Sequence, residues 1–358
     1  MTTTSNFAGL QPIRLQTSRA WRTYLGGSMI SALHGEAGED GHFPEEWLMS
    51  TVCARNAGRE HIVEGITQIA GTEETLAERI GHDPEAMLGK AHVARFGTSP
   101  GVLVKLLDAA ERLTLQVHPT RDTAKALFSS PFGKTECWHI LGCRTVDGAE
   151  PCIYLGFREG ITRTHWEHVF ETQDIPAMLD CLHRIPVNVG DTFIIRGGVP
   201  HCIGAGCFLV EIQEPTDYTV RTERTTPSGL QVADFMCHQG LGFTRMFDCF
   251  HYDGLSLEDT LAAYRVVPTE ETLPGCRIRH IIYPAVTDMF AMDLVTVTGS
   301  ARFCEHSFYG IYILDGQGTL NDQPICKCDH FFIPAYCREI TVTANTQPLT
   351  FLRCFGPE

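Results

Sequence analysis

Short apolar runs cut by glycine and proline dominate the chain, and they constrain its fold more than any other feature. "FIIRGG", "CFLVEIQE", "HIIYPA", "YGIYILDGQGTL" and "FFIPAY" all lie between residues 193 and 336. They alternate or are rich in β-branched and aromatic residues, the pattern of strands in a sandwich or barrel. Helical periodicity is confined to 73–91, 164–184 and 256–265. There is also an internal echo. "VNVGDTFIIRGGVPH" (187–201) and "CKCDHFFIPAYCRE" (326–339) share a frame of turn, acidic residue, apolar strand and tight turn. A repeated β unit predicts two related β domains with a boundary within 240–270, which we place at 1–245 and 246–358. The second copy lacks the histidine of the first, so it reads as a structural duplicate without the chemistry. "LDGQGTL" (314–320) resembles a glycine loop for phosphate, but the apolar runs on both sides make it a β-turn.

The formal net charge is −15, and no Lys/Arg cluster of five or more occurs. That balance argues against nucleic acid or an anionic membrane surface and favours a small-molecule partner. Fifteen cysteines without a CxxC pair suggest a reducing cytosol rather than disulfides. "MTTTSNFAGLQPIRLQ" has no apolar signal core, and no stretch of about 18 apolar residues occurs. A cytoplasmic protein is expected. The oligomeric state is left open.

Three stretches carry candidate chemistry. In "LTLQVHPT" (113–120) apolar and polar residues alternate, so a strand would turn Gln116 and His118 to one side before Pro119 ends it. "GKTECWHIL" (133–141) offers Glu136 and "RGGVPHCIGAG" (196–206) offers His201. Two imidazoles, one carboxylate and one amide oxygen suit Zn(II) with a position left for water or substrate, whereas a structural zinc site would use thiolates. Each residue also has a plainer reading: a turn cap for His201, an exposed strand position for Glu136, a polar sheet face for the other two. Cys137 and Cys202 alternate away from their neighbours and read as core thiols.

"GDTFIIRGGVPH" (190–201) resembles the second cupin motif, with Arg196 where proline is usual. Together with "LVKLLDAAERLTLQVHP", "GKTECWHIL" and "VEIQEPTDYTVR", in that family order, the chain is similar to the type I phosphomannose isomerases in their shorter bacterial form. The similarity runs from "WRTYLGG" (21–27) and "EEWLMS" (45–50) to about residue 225 and continues more faintly beyond. The resemblance implies a mainly β bicupin with helical insertions, one zinc ion per chain in the N-terminal cupin, and a metal-free C-terminal one. It makes Gln116, His118, Glu136 and His201 the zinc ligands, Arg221 the active-site arginine, Asp217 its acidic neighbour, and Lys134 and Lys105 the family's two lysines. It implies a sugar-phosphate substrate, with mannose 6-phosphate and fructose 6-phosphate interconverted through an enediol. For the general base Asp217 comes first, Lys134 second and His139 third. Glu211 and Trp47 are expected to touch the sugar. Where the family has "SDNxxR" this chain has "TDYTVR", so Tyr218 replaces a small polar residue and can reshape the pocket. Two rival readings are an aldose-ketose isomerase of another sugar and a zinc-binding sugar sensor without turnover.

Overall fold

Each of the five apolar runs contains a strand: Thr192–Ile195, Cys207–Gln213, Cys276–Ile282, Tyr309–Asp315 with Gln317–Leu320, and His330–Ile333. These come from a computed structural model that describes residues 11–357. Most of "MTTTSNFAGLQPIRLQ", the stretch read as lacking a signal core, therefore lies outside the described residues. No described helix is long and apolar enough to cross a membrane.

The strands form four antiparallel sheets. A six-stranded sheet is built around Leu103–Asp108, Cys207–Gln213 and Glu136–Cys143, and it faces a five-stranded sheet containing Gln116–Val117, His201–Ile203 and Cys152–Phe157. Leu107, Trp138, Ile140 and Leu209 of the first sheet share a core with Val117, Ile153 and Cys202 of the second. Alternate residues of the same strands, Val104, Leu106, Cys137, Val210 and Ile212, enter another core on the opposite face. Burial on both faces explains why "CFLVEIQE" is nearly continuous in apolar residues rather than alternating. That second core is completed by Ile282, Met292, Tyr312, Phe332 and Leu352 of a seven-stranded sheet. The other face of this sheet, with Ile278, Val295, Ile311, Phe331 and Phe351, packs on a four-stranded sheet through Phe303, Ile340 and Val342. The fold is mainly β, with two facing sheet pairs joined back to back.

Several backbone pairings cross the division drawn at residue 245, two of them between sheet strands and the other half of the chain. Strand Ile13–Leu15 pairs with His330–Ile333, and Arg265 bridges to Phe193. The sequence echo has a backbone counterpart: Gly190 (φ 91°) precedes Thr192–Ile195, and Cys328 (φ 69°) precedes His330–Ile333. The same left-handed turn thus starts both strands, once with glycine and once with a residue that pays a steric penalty there.

The predicted helices form but are divided. The 73–91 segment becomes Leu76–His82, Pro84–Leu88 and Lys90–Phe96, broken where Asp83 caps Pro84 and where Gly89 takes φ 90°. The 164–184 segment becomes Arg163–Thr172 and Ile175–Asp180, and 256–265 holds Leu257–Tyr264. "LTLQVHPT" is strand only at Gln116–Val117. Helix Arg121–Phe128 follows at once, capped by the Thr120 side chain.

Candidate active site and metal centre

Strand register lines up three of the singled-out residues. Gln116 lies opposite His201 on one side and Arg221 on the other, and directly opposed residues present their side chains to the same face. His118 follows two residues later. Its carbonyl accepts from the Gly198 N–H at 2.8 Å, and the Pro119 carbonyl accepts from the Lys134 N–H at 3.0 Å, which ties all three motifs together by backbone. Two glycines permit this approach. A Cβ on Gly133 would sit 2.6 Å from the Pro119 oxygen, and one on Gly197 would sit 2.7 Å from it.

The result is a fully enclosed cluster in which ligand atoms of His118, Glu136 and His201 all lie within 4.8 Å of one another. The two Nε2 atoms are 3.2 Å apart, Glu136 Oε2 is 3.2 Å from His118 Nε2, and Glu136 Oε1 is 3.5 Å from His201 Nε2. Each Nδ1 donates to a carbonyl at 2.8 Å, His118 to Tyr218 and His201 to Val199. That fixes the tautomers and aims both Nε2 lone pairs inward, as ligating histidines require. Gln116 Nε2 stands 3.3 Å from His201 Nε2, and turning the amide over presents Oε1 to the same point. Glu136 Oε1 is buried without a hydrogen-bond partner. Burial, reinforced by Lys134, pushes His118 down to about 3, and burial lowers His201 as well. Although burial opposes it, the Lys134 ammonium and the two imidazoles hold Glu136 well below the usual carboxylate range. Two neutral imidazoles, one carboxylate and an orphaned acceptor converging on one point fit a cation.

Lys134 Nζ reaches both His118 Nε2 (2.8 Å) and Glu136 Oε2 (2.7 Å), so it is in direct contact with two members of the candidate metal cluster. Arg221 is buried, and its Nη1 donates to the Thr219 and Met236 carbonyls at 3.1 and 3.0 Å. Burial beside Arg22 pushes it down to about 10, so it remains protonated at neutral pH. Lys105 is ion-paired to Glu211 at 2.9 Å, and the Trp138 N–H donates to the same carboxylate at 3.1 Å. Gln116, Lys134, Arg221, Lys105 and Glu211 together line a cavity of about 30 Å³, room for about one water. Trp47 lines neither this cavity nor the larger one beside it. It is fully buried behind Lys105, whose Nζ lies 5.0 Å from the ring centroid, and its N–H donates to Glu45. His139 is turned away from Glu136 by strand alternation and bonds Thr192 Oγ1 at 2.8 Å.

Asp217 makes no contact that would let it act freely as a base. Arg22, a residue the motifs did not single out, grips both its oxygens at 3.0 and 3.1 Å, and the Arg55 N–H adds a third bond at 3.0 Å. Against the opposing effect of burial, Arg22 and Lys105 hold its carboxyl well below the usual range. Arg22 lines the small cavity, whereas Asp217 and Tyr218 line a larger one of about 600 Å³, so this ion pair stands between the two. Tyr218 is stacked on Phe128 with centroids 4.6 Å apart, and the Arg55 guanidinium covers its ring at 5.0 Å. Glu45 completes the buried layer, 3.3 Å from Arg22 and bonded by the Tyr24 hydroxyl at 2.7 Å. A hint lay in "WRTYLGG" and "EEWLMS", where charged residues sit inside apolar stretches.

The state of Asp217 gives a testable pH dependence. A carboxylate whose folded pKa is depressed stabilises the fold fully above its unfolded value, about 4, and loses that contribution as the pH falls through the folded value. Asp217→Asn is therefore expected to lower stability by about 2–4 kcal/mol at neutral pH, since it removes one of the two carboxylates paired with the buried Arg22 guanidinium and leaves Glu45 at 3.3 Å as the other. The gap to the unsubstituted protein should narrow below about pH 4. Chemical denaturation at a series of pH values checks this; a gap that widens on acidification would show that Asp217 is not held as a carboxylate.

Comparison with known proteins places the geometry in context. Residues 280–350 match the family model described as the mannose-6-phosphate isomerase cupin domain. The probable mannose-6-phosphate isomerase GmuF of Bacillus subtilis is 30% identical over 267 residues, which span 72% of this chain and 78% of the relative. The crystal structure of the mannose 6-phosphate isomerase of B. subtilis superposes with a TM-score of 0.74 at 21% identity, covering 96% of this chain and 99% of the other. A zinc-bound holo mannose 6-phosphate isomerase does so with a TM-score of 0.70 at 15% identity, covering 98% and 100%.

Proposed function

Since the chain belongs to the mannose-6-phosphate isomerase family, we propose that it is a zinc enzyme interconverting mannose 6-phosphate and fructose 6-phosphate through a cis-enediol. The observation that carries the metal part of this reading is the buried His118, Glu136 and His201 cluster with its unpartnered Glu136 oxygen. Gln116 completes a set of four donors for one ion per chain. When bound, zinc supplies a Lewis acid that anchors and polarises substrate oxygens without redox chemistry.

The chain's own residues divide the remaining work. Lys134, in contact with both His118 and Glu136, is the proton-carrying group best placed to move a proton between C1 and C2. Asp217 is committed to Arg22 and so serves to position that guanidinium. Arg221 stabilises the negative charge that develops on the enediolate. Arg22, Lys105, Lys134 and Arg221 outnumber Glu45 and Glu211 around the one-water cavity, a positive balance next to the cavity of about 600 Å³ that has room for a phosphorylated sugar. In the same reading the two facing sheet pairs are cupins, residues 1–245 and 246–358, and the protein acts in the cytoplasm.

A coupled assay on the purified protein, with zinc measured on the same sample, tests the proposal. Turnover of mannose 6-phosphate is expected to exceed that of free mannose and to fall to background after EDTA, returning with added zinc. A protein that holds one equivalent of zinc and turns over neither sugar would support the sensor reading instead.

A further inference from the structure

The second sheet pair, whose sequence lacks the metal histidine, nevertheless has at its mouth a cavity with apolar walls and a polar floor. This cavity, of about 720 Å³, shares no lining residue with the metal site or the two cavities beside it. Helix Lys90–Phe96 closes one side, and the loop 283–290 and the chain end at 355–357 close others. Across its floor runs a row set by strand register: His280 lies opposite Asp293, Asp293 opposite Arg353, and Arg353 opposite Ile311. Directly opposed residues share a face, so the row lies on the inner face that elsewhere carries Ile311, Val295 and Phe351.

The row is bonded end to end. His280 Nδ1 meets Asp293 Oδ1 at 2.7 Å, Arg353 donates to Asp293 at 2.6 Å, and Arg353 donates again to Glu305 at 2.7 Å. Asp293 and Arg353 are 5% and 4% exposed, and Arg353 Nε has no hydrogen-bond partner. Buried ion pairs are seldom more stabilising than the apolar side chains that could replace them. The other inward positions of these strands are apolar, so a polar row confined to the cavity floor points to recognition.

We propose that this cavity binds a phosphorylated sugar, as a second site distinct from the metal centre. Three features select that class. The row leaves Arg353 Nε without a partner, and the partly exposed His280 ring and Glu305 carboxylate at its two ends offer a donor and an acceptor to the hydroxyls of a sugar. Tyr283 and Phe355, both partly exposed, line the walls and offer aromatic faces to the C–H side of a sugar ring. Lys90 and Arg338, both exposed at the rim, put cations at the entrance of a pocket in a protein of net charge −15, which suits a phosphate. The volume lies within the range usual for small-molecule pockets, roughly 300–1,000 Å³. The site does not depend on the isomerase reading.

Calorimetric titration of the zinc-loaded protein with mannose 6-phosphate, glucose 6-phosphate, glycerol 3-phosphate and inorganic phosphate tests it. A hexose phosphate is expected to bind with two equivalents per chain. In a Lys90→Glu/Arg338→Glu variant, the second equivalent should weaken at least about tenfold, while KM in the coupled assay stays unchanged. Both substitutions are at exposed positions, so the fold is expected to survive. Ser307→Trp, which fills the cavity from a partly exposed position, should abolish the second equivalent by a different route. A single equivalent for every hexose phosphate, or a second equivalent that survives both variants, would overturn the site. Equal affinity for inorganic phosphate or glycerol 3-phosphate would overturn the sugar class. Failure of the isomerase reading would look different, as absent turnover with the second equivalent intact.

Discussion

His201→Ala is expected to lose zinc and activity together. His201 supplies one of the two imidazoles, and its Nε2 lies 3.3 Å from Gln116 Nε2 and 3.2 Å from His118 Nε2. Loss of outer-shell partners alone weakens metal binding by about 10–100-fold, so removal of a direct ligand should exceed that range. The three remaining donors would leave zinc to dissociate on dilution, and turnover should fall to background. The ring also packs edge-on against Trp138, with centroids 5.4 Å apart, so the variant should melt somewhat lower. Metal analysis after gel filtration, read beside the coupled assay, separates this from unfolding, with circular dichroism as the check on the fold. His280→Ala, outside the cluster, should keep its zinc. An alanine variant at 201 that retains one equivalent of zinc and full turnover would remove the triad as the metal centre.

How far such a site was legible in the sequence depended on the range of the contacts. Strand identity was legible because burial on both faces leaves a local mark: Cys207–Gln213 and His330–Ile333 are apolar runs whatever pairs with them. The convergence of Gln116, Glu136 and His201 was not, because it rests on pairing between residues up to 85 positions apart; only family resemblance linked them. Pairings between distant stretches were missed even where each stretch had been singled out. Arg22 and Asp217 are 195 residues apart, and the entry of Ile13–Leu15 into a sheet built from the chain's other end spans over 300 residues. Helix Arg121–Phe128 was missed for a different reason: the alternation of "LTLQVHPT" suggested a longer strand, while Thr120, directly after Pro119, already carried the helix cap. Division of the 73–91 helix at Asp83-Pro84 and Gly89 follows the same local rules and was legible in principle.

Arg221→Ala should separate metal binding from turnover. The arginine lies opposite Gln116 in register and lines the small cavity beside the metal triad, yet it contributes no ligand atom to that triad. Zinc content is therefore expected to match the unsubstituted protein. Turnover depends on its charge: removing one preorganised donor to a developing oxyanion costs about 10²–10³ in kcat. Since Arg221 remains protonated at neutral pH, the loss should be similar from about pH 6 to 9 rather than confined to one limb of the profile. Truncation also frees the Thr219 and Met236 carbonyls, which lowers stability, so Arg221→Lys provides the control. A lysine restores charge as a single point donor, and partial recovery of kcat with little change in KM is expected if charge at the enediolate is what matters. Arg221→Ala protein with intact zinc and unimpaired kcat would show that Arg221 has no part in stabilising the intermediate. The cationic role would then fall to Lys134, Arg22 and Lys105, the other cations lining the same small cavity.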